Sequence, residues 1–411
     1  SQNHSPRHGR DRGGVRRTMN DSAACEVLQK LREDGLFREL FPSVISGAHA
    51  SFGGAEYINL ASNDYLGISA DADLQREFLS SLDCGKGFIM GACSSRLLGG
   101  DNPAFEKLEE YLGRAYSESA GKERAGLSFN CGYHANAGIL PAIASPRDLV
   151  LYDKLSHASL IDSIGNLPCK WARFPHNDMT ALRRILGARR SEFENVFIAT
   201  ESVFSMDGDT SDIAELVRIK NEFDCSLYVD EAHSTGLFGR TGLGLCDELS
   251  LAGEVDFIMC TLGKALASAG AYVVCSPIQK SLLVNRCRTF IFTTALAPIN
   301  AMWTLFVLKK VANMGGRRAR LREISSVLRK KLSGLKTLGN TQILPVVLGS
   351  NAAAAEASRA MREAGIWSPP VRYPTVPKNS ARLRLSLNAA LTDGHLDLIA
   401  DTLNKYAERA L

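Results

Sequence analysis

The 411-residue chain is 45% hydrophobic and 22% charged, a balance that excludes intrinsically disordered and collagen-like classes. No apolar run approaches the roughly 20 residues that span a bilayer, so no membrane association is expected. The net charge of +4 lies wholly in residues 1–18, where Arg7, Arg10, Arg12, Arg16 and Arg17 face only Asp11; the remainder is neutral and offers no basic face for nucleic acid.

Residues 1–18 are expected to be a disordered basic leader, too poor in apolar residues for a secretory or transit helix, with Met19 as a natural start. Ten cysteines are scattered without a Cys-x-x-Cys pair or a His/Cys metal spacing, which points to reduced thiols in a cytoplasmic protein and to no metal. Leu28, Leu31, Leu36 and Leu40 among charges predict a helix over 22–40. Tyr57–Leu60 reads as a short strand running into the loop Ser62–Tyr65, and Phe105, Leu108 and Leu112 predict a helix over 104–116.

From there strand-like apolar runs at 126–129, 148–152, 195–199, 225–229, 257–260 and 271–274 alternate with helical segments such as 177–188 and 211–223. That alternation predicts an α/β fold with a mostly parallel central sheet and flanking helices. A long helix is expected after Pro298, and beyond Gly315 and Gly316 the pattern restarts as a smaller C-terminal α+β domain. The expected division is a leader over 1–18, an N-terminal arm over 19–72, a large domain over 73–308 and a small domain over 309–411. Active groups should gather at the C-terminal ends of the strands.

Lys264 stands in such a place, after the run 256–261, in Thr261-Leu-Gly-Lys264. Asp230 closes another run and is followed by His233 in Asp-Glu-Ala-His. An amine able to hold an aldehyde and a carboxylate able to keep a pyridine nitrogen protonated are the two groups that pyridoxal phosphate (PLP) chemistry needs most. Gly263, Ala265 and Ala267 are small enough to let a bulky cofactor approach the backbone. Asn130–Asn136 lies between a strand and an apolar helix, so its amides would point from a helix N-terminus toward an anion.

Val229–Gly236, Glu201–Gly208 and Thr261–Lys264 resemble the signature segments of the α-oxoamine synthases, fold-type I PLP enzymes that condense an amino acid with an acyl thioester. The resemblance runs from about Tyr57 to the C-terminus, with the motifs in the family's order. It implies that Lys264 holds PLP and acts as base and acid at the amino-acid Cα, and that Asp230 faces the pyridine nitrogen. By the same resemblance His233 and Ser205 group around the phenolic oxygen, and His157 in Lys154–Ser159 stacks on the ring. Gly132, Tyr133 and Thr261 are implied phosphate contacts. Phe292–Pro298, with Thr293 and Thr294, resembles the segment that reaches into the neighbouring subunit's phosphate site, which implies a homodimer with shared active sites. Arg384 matches the position that forks the substrate carboxylate, helped by Asn63; Arg382 is expected on the other strand face, in a structural role.

Arg372, ahead of Pro374–Pro377, and the segment Arg173–Asp178 resemble family members that condense L-alanine with a pimeloyl thioester of coenzyme A or a carrier protein. Gly91–Gly100 departs from the more usual Gly-x-Gly-Gly-Ser/Thr-Arg pattern in a loop that borders the substrate side chain. A glycine C-acetyltransferase, or another condensation using glycine or serine, therefore stays an alternative. A PLP lyase or aldolase and an inactive partner subunit are the remaining readings, the last opposed by the presence of Lys264.

Overall fold

Apolar runs bounded by Gly, Asp and Ser become the strands of a seven-stranded sheet in the computed structural model, which describes residues 20–83, 85 and 88–410. The leader expected over 1–18 lies outside the described residues. The chain divides into two units, Ser1–Ser43 and Val44–Leu411. In the first, the helix Asp21–Glu33 is capped by Asn20, whose side chain accepts the Ala23 N–H at 3.0 Å. The helix expected over 22–40 stops early. Gly35 adopts φ 65°, and the amides of Leu36 and Phe37 fold back onto the Leu31 carbonyl at 2.7 and 2.9 Å.

The second unit opens with a meander of β1 (Val44–Ser46), β2 (His49–Phe52) and β3 (Ala55–Asn59). The central sheet comprises β4 (Ala125–Phe129), β5 (Leu149–Asp153), β6 (Lys170–Phe174), β7 (Val196–Glu201), β8 (Ser226–Asp230), β9 (Phe257–Thr261) and β10 (Ala271–Cys275). Their order is β4-β10-β9-β8-β7-β5-β6. The strands from β5 to β9 pair in parallel, whereas β10 is antiparallel to both β4 and β9. The sheet is thus mostly parallel, as the alternation predicts. The edge strand β6 is not legible as a strand because Lys170, Trp171 and Arg173 leave it largely exposed.

Alternate side chains of the five inner strands enter two separate buried clusters. Leu149 and Leu151 of β5 join one, and Val150 and Tyr152 join the other. A sheet packed on both faces needs such continuous apolar strands, and each fully buried aliphatic side chain contributes about 1.5–3 kcal/mol. Polar side chains survive at the strand ends, where Asp153, Glu201, Asp230 and Thr261 close β5, β7, β8 and β9. These four strands are parallel, so the four ends share one edge of the sheet.

The C-terminal strands are β11 (Ile343–Gly349), β12 (Ile366–Trp367), β13 (Pro370–Val371) and β14 (Ala381–Ser386). β11, β14 and β13 form an antiparallel sheet packed with the helices Gly315–Lys331, Asn351–Glu363 and Asp393–Ala410, while β12 pairs in parallel with β3. Among the described residues, no helix is long and apolar enough to cross a membrane.

The C-terminal sheet meets the loop after β7 at a close crossing of two backbones. Gly208 (φ 69°) and Gly339 (φ 70°) make it possible: a Cβ on Gly208 would lie 2.2 Å from the Ile343 carbonyl oxygen, and one on Gly339 2.4 Å from that of Asp207. The Gly208 carbonyl accepts from Asn340 N at 3.0 Å and Thr341 Oγ1 at 2.8 Å. Gly208→Ala is expected to destabilise the protein by about 2–4 kcal/mol, since a backbone clash adds to left-handed strain. The check is a lowered denaturant midpoint at unchanged slope.

Candidate active site

β7 and β8 end side by side with Glu201 in register with Asp230, and Lys264 follows β9, the other neighbour of β8. Asp230 is buried and accepts two N–H groups, Asn136 Nδ2 on Oδ2 at 2.8 Å and Ala232 N on Oδ1 at 2.9 Å. Asn136 is itself fixed: its Oδ1 accepts Tyr228 OH at 2.6 Å, and its Nδ2 also reaches Ser159 Oγ at 2.9 Å. Ser159 continues the chain to His157, whose Nδ1 lies 2.8 Å from Ser159 Oγ and accepts the Ser159 N–H at 3.2 Å. A nitrogen that accepts an N–H carries no proton, so neutral His157 holds its proton on Nε2. Burial keeps His157 below its ordinary value, and the Lys264 charge adds to it against the pull of Asp230.

A second chain leads from Lys264. Its Nζ is 2.9 Å from His233 Nε2, and His233 Nδ1 is 2.7 Å from Tyr65 OH. Tyr65 OH donates to Asn63 Oδ1 at 3.0 Å, and that oxygen also accepts both Arg384 Nη atoms at 3.2 Å. Arg384 Nε donates to the Ser205 carbonyl, and Gln342 Nε2 to the His233 carbonyl at 2.7 Å. Burial, then the charges of Lys264, Arg384 and His157, hold His233 well below its ordinary value and therefore neutral. One proton arrangement satisfies the whole chain: Lys264 donates to Nε2, Nδ1–H donates to Tyr65, and Tyr65 donates to Asn63. Burial brings Lys264 down to about 8, against the raising effect of Asp230 and Glu201.

The phosphate candidates lie at the start of the helix Gly132–Ile143, whose first amides have no acceptor within the helix. A Cβ on Gly132 would stand 3.6 Å from Thr261 Oγ1, so the two segments face each other. The Tyr133 side chain is exposed and its hydroxyl bonds Asp162. The Thr294 carbonyl accepts Asn130 Nδ2 at 2.6 Å, and Thr293 lines a small cleft with Ser128 and Asn130. Arg372 follows β13, with its carbonyl accepting Thr375 N at 2.9 Å.

One expectation is corrected. Arg382 and Arg384 are two residues apart on β14, and side chains two apart share a face. Arg382 accordingly pairs with Asp207 and donates to the Met206 carbonyl at 3.1 Å, gripping the same loop as Arg384. Its structural character stands; its face does not. Sequence reasoning also missed Tyr65, Asn136, Gln342 and Glu201. The first two lie inside Ser62–Tyr65 and Asn130–Asn136, where a buried partner was the only signal to follow. Glu201 is buried with Oε1 unpartnered, and burial, then Asp230, push its carboxyl well above the usual carboxylate range.

An amine with lowered affinity for its proton, a doubly hydrogen-bonded carboxylate, a neutral imidazole and helix N-terminal amides facing a threonine hydroxyl are the donor set that PLP requires, and the residues present fit it. The family model "Aminotransferase class I and II" matches residues 55–403. The 8-amino-7-oxononanoate synthase of Chlorobaculum parvum is 43% identical over 362 residues, covering 87% of this chain and 91% of that protein. Serine palmitoyltransferase of S. paucimobilis, in a structure holding PLP and myriocin, is 27% identical with a TM-score of 0.84, covering 95% of this chain and 97% of that one. The 8-amino-7-oxononanoate synthase structure from Francisella tularensis is 26% identical with a TM-score of 0.70, covering 86% and 98%.

Two outcomes follow from these charge states. Uptake of PLP by the apo-protein, followed as growth of visible absorbance, should speed up as pH rises through about 8, where Lys264 loses its proton. Glu201→Gln, a neutral isostere of a carboxyl that burial pushes toward its protonated form, should change unfolding free energy by less than about 1 kcal/mol, read by thermal unfolding.

Proposed function

The chain belongs to the aminotransferase class I and II family, and we propose that it catalyses the decarboxylating condensation of L-alanine with a pimeloyl thioester. The products are 8-amino-7-oxononanoate, CO₂ and the free thiol, a step of biotin biosynthesis. The observation that carries this reading is the hydrogen-bonded chain from Lys264 through His233, Tyr65 and Asn63 to Arg384, which joins an amine to a carboxylate fork. The 43% identity to the Chlorobaculum enzyme supports the choice of acyl group.

PLP, when bound, supplies a protonated pyridine ring that draws electrons from the Cα–H bond of the amino acid. Lys264 would hold its aldehyde and Asp230 would keep a proton on the ring nitrogen. The amides of Gly132 and Tyr133 and the hydroxyl of Thr261 would hold its phosphate; Thr293 and Thr294 of the other copy in a homodimer would complete that cradle. His233 and Ser205 would border the phenolic oxygen.

Arg384 takes the alanine carboxylate on its two Nη groups, with Asn63 steadying the fork. Lys264 Nζ accepts the Cα proton; a value near 8 leaves a working fraction of free amine at neutral pH. His157, with Nδ1 occupied by Ser159, offers its Nε2–H to the thioester carbonyl oxygen. As the new C–C bond forms, the thioester C–S bond breaks and the thiolate departs, taking a proton from solvent to become the free thiol; the carboxylate then leaves Arg384 as CO₂ and Lys264 returns a proton to Cα. Arg372 is assigned to the distal end of the acyl chain as its counter-charge.

A condensation using serine or glycine is the second reading, favoured by the likeness to serine palmitoyltransferase along 95% of the chain. Thiol release measured with alanine, glycine and serine against pimeloyl- and acetyl-CoA separates them. Alanine with pimeloyl-CoA should exceed every other pair in kcat/KM by about tenfold or more, and a higher value for another pair would overturn the assignment. Arg384→Ala should raise the KM for alanine by roughly 30-fold or more, the loss of a charge-assisted pair of bonds. Deuterium at the alanine Cα should wash out in the enzyme alone and be retained in Lys264→Ala.

A further inference from the structure

β5 and β7 send separate loops to the candidate site. The first runs from Asp153 to His157, the second from Glu201 through Ser205 to Asp209. His176, just past the edge strand β6, stands between them. Its Nδ1 is 3.0 Å from Asp153 Oδ1, and its Nε2 is 2.8 Å from Asp209 Oδ2. Asn177 doubles both links, donating its N–H to Asp153 Oδ2 at 2.9 Å and its Nδ2 to Asp209 Oδ2 at 3.0 Å. The Phe204 ring lies perpendicular to the imidazole, with centroids 4.4 Å apart, and shields it.

The charge follows from the partners. Both are carboxylates, which only accept, so both ring nitrogens must donate, and an imidazole donates twice only as a cation. The charged groups in contact with the ring are Asp153 from β5 and Asp209 from the loop after β7; Asn177 and Phe204 are neutral. Burial opposes the charge, but the bonds to Asp153 and Asp209, and then their charges, outweigh it and push His176 up to about 10. The second carboxylate sits two residues from Asp207, which Arg382 grips, and four from Ser205, whose carbonyl receives Arg384 Nε.

We propose that His176 is a positioning residue, an imidazolium clamp that fixes the spacing of the His157 and Ser205 loops and so the aim of Arg384 at the amino-acid carboxylate. The inference rests on the reading of Arg384 as that carboxylate's fork. Without the clamp, two carboxylates face each other across the gap and push the loops apart.

The test uses the PLP-loaded enzyme and the amino acid it turns over. His176→Gln should keep the visible cofactor band yet raise the amino-acid KM by about tenfold or more, the scale of a small misalignment. Adding Asp209→Asn removes the repulsion and should return KM to within about threefold of wild type. An unchanged KM in His176→Gln, or no recovery in the double variant, overturns the proposal. If His176→Gln cannot be isolated folded, the double variant decides alone: near-wild-type KM supports the clamp, and a raised KM or an unfolded protein sinks it. The pH profile gives a readout that packing alone would not move. The folded-state value is raised from 6.5 to about 10, so the stabilisation is fully present below pH 6.5 and is lost as pH rises through about 10. The Tm advantage of wild type over the double variant should therefore be largest below pH 6.5 and shrink toward pH 10; an advantage flat with pH refutes the charged clamp. Arg384→Lys run in parallel keeps the two ideas apart, since an unchanged amino-acid KM there rejects the fork while leaving the pH profile to judge His176.

Discussion

Two carboxyl groups at neighbouring strand ends cannot both hold a negative charge in a buried site, and the arrangement around Lys264 depends on how that conflict is resolved. Glu201 and Asp230 are register partners at the ends of β7 and β8. Asp230 receives two side-chain or backbone N–H donors, and Glu201 receives the backbone N–H groups of His157 and Ser205 while its Oε1 has no partner. Burial, then the neighbouring Asp230, pushes the Glu201 carboxyl well above the usual range. A single anion facing the Lys264 amine and a ring nitrogen is what the proposed chemistry calls for. A second would hold the lysine as an ammonium and weaken it as a base.

The same economy governs the cations. Arg384 and Arg382 leave β14 on one face and grip consecutive carbonyls of the loop after β7, at Ser205 and Met206. His176 holds the far end of that loop through Asp209. The loop is thus pinned at both ends by positive groups, and the backbone crossing at Gly208 and Gly339 fixes its middle against β11. An arginine held this way by a carbonyl at Nε keeps its two Nη groups directed, which is what a carboxylate fork requires. The C-terminal sheet therefore acts on the site through hydrogen bonds to a loop of the central sheet.

Much of this was legible in the residue order because the chemistry is carried by short segments. Lys264 after an apolar run, Asp230 three residues before His233, and a helix start after Asn130 each declare a local geometry. What stayed hidden is long-range. Tyr65 meets His233 across 168 positions, and Gln342 meets its carbonyl across 109. No local pattern encodes such pairs, and a buried tyrosine reads as ordinary core. The antiparallel insertion of β10 between β4 and β9 was equally silent, because its apolar run looks like that of any doubly covered strand. The helix expected over 22–40 failed for a local reason that was visible: Gly35 stands in the middle of it, and glycine at positive φ ends helices.

Burial separates the hydrogen-bonded frame around Lys264 from the loops assigned to substrate choice. Asp230, His233 and Tyr65 are almost fully buried, and each is tied to another element of the fold. The loop Gly91–Gly100 and the turn after β13 are different in kind. Cys93 is exposed at φ 57°, Leu98 is 87% exposed, and Arg372 follows a strand of two residues. Substitutions in such loops remove few contacts, whereas a change at Asp230 or Tyr65 would leave buried polar groups unpaired. A fold built this way can change the acyl group or the amino acid it accepts while Lys264 and its hydrogen-bonded neighbours stay as they are. A likeness to both a serine palmitoyltransferase and an 8-amino-7-oxononanoate synthase is then no contradiction: the buried frame can be common to both while exposed loops differ.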